Sequence, residues 1–320
     1  MSATFFFIDP NTPTTLQLRK HLLLRGYTAA ADARGAQFTD QNLILPKACE
    51  QLEFKHYFAR LAAQYFPQFV PMTVTLDGSR LDYTMHRLFS HEVPWWILKP
   101  ALMNNGQGIK IFSDFCDLEQ HFLQAKGYDG PHVLQQYLNS PHLLNGHKYS
   151  FRYFVIFTNY KGVYLYPDGY FNVAKKAYDA KNHEQISGHL TNEHLLQGGD
   201  ANVWQIPTTR CPNFSKIQPR LFYCIERVVM AIQEALPNIF VKGAIDQFSI
   251  FGFDLMLDAD LRPWLLEINH GPCFPSDSAH PLQQHLYQPF WQTMTDFFVE
   301  PIISDRTVLS PDSYSLIRLQ

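Results

Sequence analysis

A predicted strand pair in the C-terminal half constrains the fold of this 320-residue chain most strongly. The segment FGFDLMLDADLRPWLLEIN (251–269) predicts two apolar strands joined by an Asp-Ala-Asp turn at 258–260. Because strand side chains alternate between faces, Glu267 and Asn269 share a face, and a tight hairpin brings Asp254 opposite them. Two carboxylates and an amide oxygen form a hard-oxygen site that suits Mg²⁺ with phosphate. An ordinary hairpin with solvent-facing polar residues is the alternative, although burying ionised groups among apolar neighbours without partners is costly.

A glycine-rich turn follows another predicted strand. The strand WWILKP (95–100) contains Lys99, and the turn MNNGQGI (103–109) contains Gly106 and Gly108. Glycines allow backbone N–H groups to approach phosphate oxygens, and a lysine on the neighbouring strand neutralises phosphate charge. A plain hairpin turn has a similar composition, so this segment alone indicates either a phosphate loop or an ordinary turn.

Three polar residues occupy one face of a strand predicted at 148–158. Lys148, Ser150 and Arg152 stand at alternate positions, so the two cations point the same way. Surface strands also carry such cations without a function, which is the alternative. Combined with the glycine turn and the acidic hairpin, however, these cations supply what ATP-driven chemistry requires.

The composition of the chain and the absence of certain motifs exclude several classes of protein. Hydrophobic residues make up 46% of the chain, which predicts a packed core. With 26 Lys and Arg against 29 Asp and Glu, the chain lacks the basic excess of a nucleic-acid-binding protein. No apolar run approaches a membrane span, so no membrane partner is expected. The five cysteines are scattered without a CxxC pair, which favours free thiols and a cytoplasmic location. Neither a GxSxG elbow nor a GxxxxGK[ST] P-loop occurs.

Three histidines lie in a polar, glycine- and glutamine-rich region at about 180–213. His183, His189 and His194 are spaced six and five residues apart. This is not the usual spacing of zinc ligands, so we predict exposed loop side chains.

The order of elements predicts a mixed α+β and α/β architecture. Strand–helix alternation up to about residue 90 indicates a small parallel sheet. The predicted strands, beside the pair at 251–269, are 5–8, 69–74, 95–100, 110–112, 132–138, 148–158 and 163–171. The predicted helices are one that ends at Gly26 and those at about 48–66, 86–91, 114–126, 216–235 and 282–299. The last two long strands before 180 are expected to pair antiparallel.

In this order, the segments resemble the tubulin–tyrosine ligase family of ATP-grasp ligases, from about residue 43 to 275. The matching pieces are FKHYFARLAAQYFPQFVPMT, PWWILKPALMNNGQGIKIF, HVLQQYLNSPHLLNGHKYSFRYFVIF, YLYPDGYFNVAKKAY, HLTN and FGFDLMLDADLRPWLLEINHGP. The resemblance implies an ATP-grasp fold, in which two α+β lobes grip ATP beside a small N-terminal α/β lobe. The expected parts are an N-terminal lobe (1–90), a central lobe with the glycine loop (91–138), a C-terminal lobe with the Mg²⁺ site (139–300) and a tail (301–320).

The resemblance also implies a role for individual positions. Lys99 is similar to the lysine on the α- and β-phosphates, 106–109 to the mobile phosphate loop, and 135–138 to the hinge that holds adenine through backbone groups. The family has a further lysine that faces the nucleotide. Lys55 aligns with it, and Lys47 is the competing candidate for that position. The nucleotide-binding residues it implies are Lys55, Lys99, Gly106, Gln107, Gly108, Ile109, Gln135, Gln136, Tyr137, Leu138, Lys148, Thr191 and Asn192. The catalytic residues it implies are Arg152, Lys148 and Glu267. The ligands it implies for two Mg²⁺ ions are Asp254, Glu267 and Asn269.

The activity implied by this resemblance is ligation of an amino acid to a protein or peptide carboxylate, driven by ATP through an acyl phosphate. The implied partners are ATP, Mg²⁺, an amino acid and a protein or peptide acceptor, with tubulin left open as that acceptor. Two positions depart from the family, which usually has aspartate at Ser150 and arginine at Asn172. Both departures lie near the boundary between nucleotide and acceptor. They leave open a nucleotide-binding regulatory or scaffold domain without ligation, and a small-molecule peptide synthetase is a further alternative.

Overall fold

A computed structural model describes residues 5–9, 13–76, 83–89, 95–124, 130–195, 200–275, 277–304 and 310–319. Its strands are β1 (Phe5–Phe7), β2 (Thr28–Ala29), β3 (Phe38–Thr39), β4 (Thr73–Leu76), β5 (Trp96–Pro100), β6 (Lys110–Phe112), β7 (His132–Gln136), β8 (Leu143–Leu144), β9 (His147–Thr158), β10 (Val163–Ala174), β11 (Val203–Pro207), β12 (Phe248–Leu257), β13 (Pro263–His270) and β14 (Ile317–Leu319). Its α-helices are α1 (Pro13–Leu24), α2 (Pro46–Glu53), α3 (Lys55–Tyr65), α4 (Phe115–Gln124), α5 (Ile186–His189), α6 (Phe214–Ala235), α7 (Gln288–Met294) and α8 (Glu300–Ser304).

The N-terminal strands form a parallel sheet in the order β2-β1-β3, as the strand–helix alternation predicts. Phe6 and Phe38 on this sheet are fully buried. They share a core with the C-terminal helical run, which contributes Trp291 and Phe298. The predicted helix at 282–299 is this run, in which π-helical turns precede α7 and α8. The two ends of the described chain are therefore packed together.

A central antiparallel sheet has the order β4-β7-β5-β6. Strand β4 begins at Thr73 rather than at the predicted residue 69, because Pro67–Phe69 form a 3₁₀ turn and Pro71 has no N–H for a ladder. Pairing of Thr73 with Gln135 joins β4 to strands that follow residue 95. The expected division at residue 90 stays a prediction.

The largest sheet is antiparallel and has the order β11-β10-β9-β12-β13. Its middle strand β9 is covered on both faces, which is why nearly all of its residues are buried. Odd-numbered residues such as Phe151 and Tyr153 pack with helix α6 in one core. Even-numbered residues such as Phe154 and Ile156 pack with the C-terminal helices in another core. Further towards the start of β9, the same even face is polar and lines a cavity.

Two predicted helices differ in the structure. The helix predicted at 48–66 is divided into α2 and α3 by Phe54, whose backbone is extended (φ −74°, ψ 115°). The break lets the Lys55 N–H donate to the Ala101 carbonyl at 3.3 Å, which places Lys55 beside the glycine turn. The helix predicted at 86–91 is a 3₁₀ segment, Tyr83–Leu88, and residues 90–91 lie outside the described residues.

The described architecture is therefore a mixed α+β fold with several sheets. Among its helices, none combines the length and the apolar composition that crossing a bilayer requires.

Candidate functional site

One cavity of about 370 Å³ gathers most of the predicted site residues. Its wall is built from strands of the central and largest sheets, from the glycine turn and from the segment 189–193. The predicted residues in this wall are Lys55, Lys99, Gly106, Gln107, Ile109, Gln135, Gln136, Tyr137, Leu138, Lys148, Arg152, Thr191, Asn192, Asp254, Glu267 and Asn269. Gly108 lies outside the wall. Lys47 is exposed on α2 away from it, so the geometry favours Lys55 for the contested position.

The acidic hairpin brings Asp254, Glu267 and Asn269 together as expected, with the register shifted by a β-bulge between Asp254 and Leu255. Strands β12 and β13 pair Asp254 with Glu267 and Gly252 with Asn269. The Asn269 amide nitrogen donates to Asp254 Oδ2 at 2.9 Å and to Glu267 Oε1 at 3.2 Å. Two carboxylates and an amide thus converge on one face, and they fit the oxygen ligands that Mg²⁺ takes in proteins. No group of three or more His, Cys, Asp or Glu side chains suited to a metal occurs in the described parts of the chain.

Arg152 is a direct partner of this hairpin. Its Nε donates to Asp254 Oδ1 at 2.5 Å and its Nη2 donates to Asp254 Oδ2 at 2.7 Å, across the β9–β12 pairing. Gly252 makes room for the guanidinium, because a Cβ at that position would lie 2.8 Å from Arg152 Cδ. The predicted cation near the transferred phosphate is therefore also the counter-ion of a predicted metal ligand.

The charges around the hairpin shift its acids in opposite directions. Burial alone raises the pKa of Glu267, but Lys55, Lys99 and the Asn269 amide outweigh burial and lower it to about 2. Burial raises the pKa of Asp254, and the negative charge of Glu267 adds to this effect, while Arg152 opposes it. Glu267 is consequently the more strongly ionised of the two carboxyl groups.

Two lysines in the cavity are buried without a carboxylate at ion-pair distance within the part of the chain that the structure describes. Lys99 Nζ donates to Gln135 Oε1 at 2.7 Å, and Lys148 Nζ donates to the Tyr137 hydroxyl at 2.8 Å. Burial lowers the pKa of Lys99 to about 8; burial, with Lys99 adding to it, lowers that of Lys148 to about 7. Neither ammonium lies within ion-pair distance of a carboxylate among the residues described. An anionic ligand would relieve the cost of these buried cations.

Lys55 connects the glycine turn to the hairpin. It is the first residue of α3, and its Nζ donates to the Met103 carbonyl at 2.9 Å. The same nitrogen lies 3.6 Å from Glu267 Oε2. The side chain therefore holds two predicted parts of the site together.

The glycine turn adopts left-handed backbone conformations that favour glycine. Gly106 has φ 71° and Gly108 has φ 68°. A Cβ on Gly106 would lie 3.3 Å from Leu195 Cδ2 and 3.4 Å from Asn192 Oδ1, so the turn packs against the HLTN segment. A Cβ on Gly108 would lie 2.8 Å from Pro100 Cγ. Gly108 is thus required for the conformation of the turn, whereas Gly106 lines the cavity.

The segment predicted to hold adenine uses some of its polar groups within the protein. The Gln136 N–H donates to the Met72 carbonyl and the Tyr137 N–H donates to the Trp95 carbonyl. The Gln135 side chain bridges Lys99 and Thr73. The Leu138 N–H has no hydrogen-bond partner among the described residues, so it is the free backbone donor at this end of the cavity.

The two positions expected to depart from the family, Ser150 and Asn172, meet at Thr191. Ser150 Oγ lies 2.7 Å from Thr191 Oγ1, and Asn172 Nδ2 donates to the Thr191 carbonyl at 3.0 Å. Strand pairing also places Asn172 beside Gln205 of β11. Asn172 Oδ1 and Gln205 Oε1 are buried on the cavity wall without partners in the described structure. The sequence does not point to Gln205, because β11 lies in the polar, glycine- and glutamine-rich region at about 180–213, where no strand is predicted.

The prediction of exposed histidines in that region is wrong for two of the three. His183 is 9% exposed and His189 is 2% exposed. The ring centroid of His183 lies 3.4 Å from that of Trp95 and 4.8 Å from that of His189. Stacking between aromatic rings buries both side chains, and a spacing pattern does not contain that information. His194 is exposed as predicted, and His189 lines the cavity.

Comparisons with known proteins identify the family of this chain and several of its relatives. The model of the Tubulin-tyrosine ligase family matches residues 29–307. A human protein named "Probable tubulin polyglutamylase TTLL2" is 29% identical over 257 residues, which are 73% of this chain and 41% of that protein. Two Tetrahymena thermophila proteins also match. "Probable alpha-tubulin polyglutamylase Ttll1" is 26% identical over 64% of this chain and 54% of its own length. "Tubulin glycylase 3D" is 25% identical over 55% of this chain and 18% of its own length.

This chain therefore spans about half or less of the length of these relatives. The family match, in contrast, covers most of the chain. With the acidic hairpin, the glycine turn and the buried lysines in one cavity, the chain belongs to the tubulin-tyrosine ligase family.

Proposed function

We propose that this chain is an ATP-dependent ligase that joins the amine of an amino acid to a carboxylate of a protein or peptide acceptor. The main support is the cavity, in which the buried cations of Lys99, Lys148 and Arg152 adjoin the carboxylates of Asp254 and Glu267. Family membership and the names of the relatives favour tubulin as the acceptor and glutamate or glycine as the amino acid.

The nucleotide is proposed to lie between the central sheet and the largest sheet, which would act as the two lobes of an ATP-grasp fold. Its base would lie at 135–138, with Leu138 N–H as a donor. Its phosphates would lie against Lys99, Lys148 and the turn at 106–109, where cations and glycine backbone compensate their charge.

The acidic hairpin is proposed to hold Mg²⁺, as two ions shared by Asp254, Glu267 and Asn269. Its donor set fits, since two carboxylates and an amide converge on one face. When bound, Mg²⁺ would neutralise negative charge on the phosphate oxygens.

The proposed reaction has two steps. An oxygen of the acceptor carboxylate attacks the γ-phosphorus of ATP, the bond from that phosphorus to the β–γ bridging oxygen breaks, and ADP leaves. The neutral amine of the amino acid then attacks the acyl phosphate, inorganic phosphate leaves, and the nitrogen loses a proton to form the amide. Lys99, Lys148 and Arg152 would stabilise charge that develops on the phosphoryl oxygens. Closure of the glycine turn against Asn192 would exclude water from the acyl phosphate.

A second candidate is a nucleotide-binding regulatory or scaffold domain without ligation. The supporting observation is that Ser150 and Asn172 are uncharged and are both engaged with Thr191. This candidate predicts Mg²⁺-dependent ATP binding without amide formation on any acceptor.

Phosphate release and product mass would test both candidates. The purified protein would receive Mg²⁺-ATP, tubulin and each of the twenty amino acids in turn. Ligation predicts phosphate release stimulated by one amino acid and a matching mass increase on the acceptor, both lost in Glu267→Gln. Glu50→Gln makes the same chemical change at an exposed site on α2 and should retain activity. Amide formation without ATP consumption would contradict the first candidate, and turnover with any acceptor would contradict the second. A free peptide-like product would indicate a small-molecule synthetase.

A further inference from the structure

The buried ammonium of Lys148 is held by a chain of hydrogen bonds rather than by a carboxylate. Lys148 Nζ lies 2.8 Å from the Tyr137 hydroxyl oxygen, and that oxygen lies 2.6 Å from His189 Nδ1. The other ring nitrogen of His189, Nε2, lies 2.9 Å from the Asn182 carbonyl oxygen. Lys148 Nζ also lies 4.1 Å from the Tyr137 ring centroid. Lys148, Tyr137 and His189 line the cavity, and the chain ends at the backbone of the exposed residue Asn182.

With a neutral His189 ring, only one placement of protons satisfies every bond in this chain. A backbone carbonyl only accepts, so His189 Nε2 must carry a proton and donate to Asn182. In the neutral ring Nδ1 is then an acceptor, and the Tyr137 hydroxyl must donate to it. Because the hydroxyl proton is donated to His189, the Tyr137 oxygen accepts a hydrogen bond from the Lys148 ammonium. The tautomer of a buried histidine thus decides which way a hydroxyl in the cavity points.

The surroundings of His189 favour the neutral ring that this arrangement needs. Burial lowers the pKa of His189, and the charge of Lys148 adds to that effect. The other titratable groups that face the ring are Tyr137, Tyr178, His183 and Asp179. Asp179 raises the pKa of His189, but burial outweighs it. Stacking against His183 and edge contact with Tyr178 fix the plane of the ring.

We propose that His189 is a positioning residue for nucleotide binding. As the Nε2–H tautomer it orients the Tyr137 hydroxyl, and the hydroxyl oxygen in turn holds the Lys148 ammonium towards the phosphates. The proposal rests on the proposed function, since it concerns the same nucleotide site. His189 touches neither phosphate nor reacting atoms in this scheme, and acts through Tyr137.

This role can be tested by substitutions that separate the effect of the hydrogen bond from the effect of the aromatic ring. His189→Phe keeps an aromatic ring for stacking but removes the acceptor, and should weaken Mg²⁺-ATP binding tenfold or more. His189→Asn places an amide oxygen near the position of Nδ1, and should retain affinity within about threefold because the hydroxyl keeps an acceptor. The affinity would be measured by titration calorimetry on the full chain.

A matched control exists elsewhere in the fold. His142 Nδ1 lies 2.7 Å from the Tyr149 hydroxyl, and neither residue lines the cavity. His142→Phe removes the same kind of bond and should leave nucleotide affinity within twofold of wild type. Equal losses of affinity in His189→Phe and His142→Phe would overturn the positioning role.

A second measurement does not depend on any substituted protein folding. Nitrogen-15 NMR of the histidine side chains in the wild type at pH 7 should show His189 neutral, with its proton on Nε2. A proton on Nδ1, or a doubly protonated ring, would overturn the proposal while leaving the proposed function intact. Absence of Mg²⁺-ATP binding by the wild type would instead overturn both.

Discussion

Arg152 and Asp254 form two parallel hydrogen bonds across neighbouring strands, at 2.5 and 2.7 Å. Their side chains are 16% and 15% exposed, so this ion pair is largely shielded from water. A predicted catalytic cation and a predicted metal ligand are thus each other's counter-ion. Loss of either residue leaves the other buried and unpaired, which affects folding as well as chemistry.

Arg152→Met is expected to lower the free energy of unfolding by about 3–5 kcal/mol, because it leaves the Asp254 carboxylate without its partner. Adding Asp254→Asn should restore much of the stability but no activity, since the double variant still lacks both functional groups. Urea denaturation and phosphate release measure the two effects. Arg34→Met removes an exposed pair with Asp32 and should leave stability unchanged. A double variant as unstable as Arg152→Met would contradict this account.

Gly252→Ala should displace the Arg152 guanidinium, because the added Cβ would lie 2.8 Å from Cδ of that side chain. We expect at least a tenfold loss of phosphate-release activity. Gly243→Ala is the control, since its added Cβ has Asn159 Nδ2 as nearest atom at 3.7 Å, an ordinary contact. Equal activity in both variants would show that the position of Arg152 does not matter.

Nucleotide affinity should fall as the pH rises above about 7. The pKa of Lys148 is lowered to about 7 by burial and Lys99, so the free protein loses this charge above that pH. A bound polyphosphate favours the charged form, and the dissociation constant should rise by up to about tenfold per pH unit for one proton taken up. Calorimetric titration at pH 6.5–8.5 should show that the dissociation constant depends less steeply on pH in Lys148→Met than in the wild type. Lys99, whose pKa is lowered to about 8, would account for the remaining slope. Identical slopes in both proteins would exclude Lys148 as the group responsible.

The effect of Lys148 on stability has the opposite pH dependence to its effect on nucleotide affinity. Its pKa in the folded chain lies below its ordinary value of 10.5, so the unfolded chain binds more protons between these two values. The contribution of Lys148 to the free energy of unfolding should therefore rise with pH from about 7 to about 10. In urea denaturation, Lys148→Met should gain stability over wild type below pH 7 and lose that advantage as the pH rises. A constant difference across this range would contradict the assignment.

Gly106→Ala should impair nucleotide binding more than folding. Its added Cβ would lie 3.3 Å from Leu195 Cδ2 and 3.4 Å from Asn192 Oδ1, which pushes the turn away from the HLTN segment. Gly35→Ala carries the same left-handed backbone strain at φ 77°, with no atom within 4 Å of its Cβ. Both should lose about 1 kcal/mol of stability from the backbone strain. Only Gly106→Ala should weaken Mg²⁺-ATP binding, and equal binding by both would contradict a role of the turn.

Parts of the site that depend on local patterns could be predicted from the sequence. Alternation puts Glu267 and Asn269 on one face of the strand that follows the turn, although the register that sets Asp254 opposite Glu267 also requires a β-bulge between Asp254 and Leu255. The same alternation places Lys148 and Arg152 on one face. These inferences need only the geometry of a single strand or hairpin.

Parts that depend on long-range packing could not be predicted. The Arg152–Asp254 pair requires β9 to lie beside β12, although 102 residues separate them. The burial of His183 requires Trp95 and that of His189 requires Tyr137, two residues that flank strands of the central sheet. The helix break at Phe54 accompanies a hydrogen bond from the Lys55 N–H to the distant Ala101 carbonyl, and no Gly or Pro marks it.

Ligation through a phosphorylated acceptor carboxylate moves one oxygen atom from the acceptor to inorganic phosphate, and ¹⁸O labelling follows that transfer. Tubulin or a tubulin-tail peptide with ¹⁸O-labelled carboxylates would be incubated with the protein, Mg²⁺-ATP and the stimulating amino acid. The acyl-phosphate route predicts one ¹⁸O atom in each phosphate released during amide formation, and neither product nor labelled phosphate with Glu267→Gln. Amide formation with unlabelled phosphate would contradict the acyl-phosphate route, and Mg²⁺-ATP binding with no amide on any acceptor would contradict ligation itself.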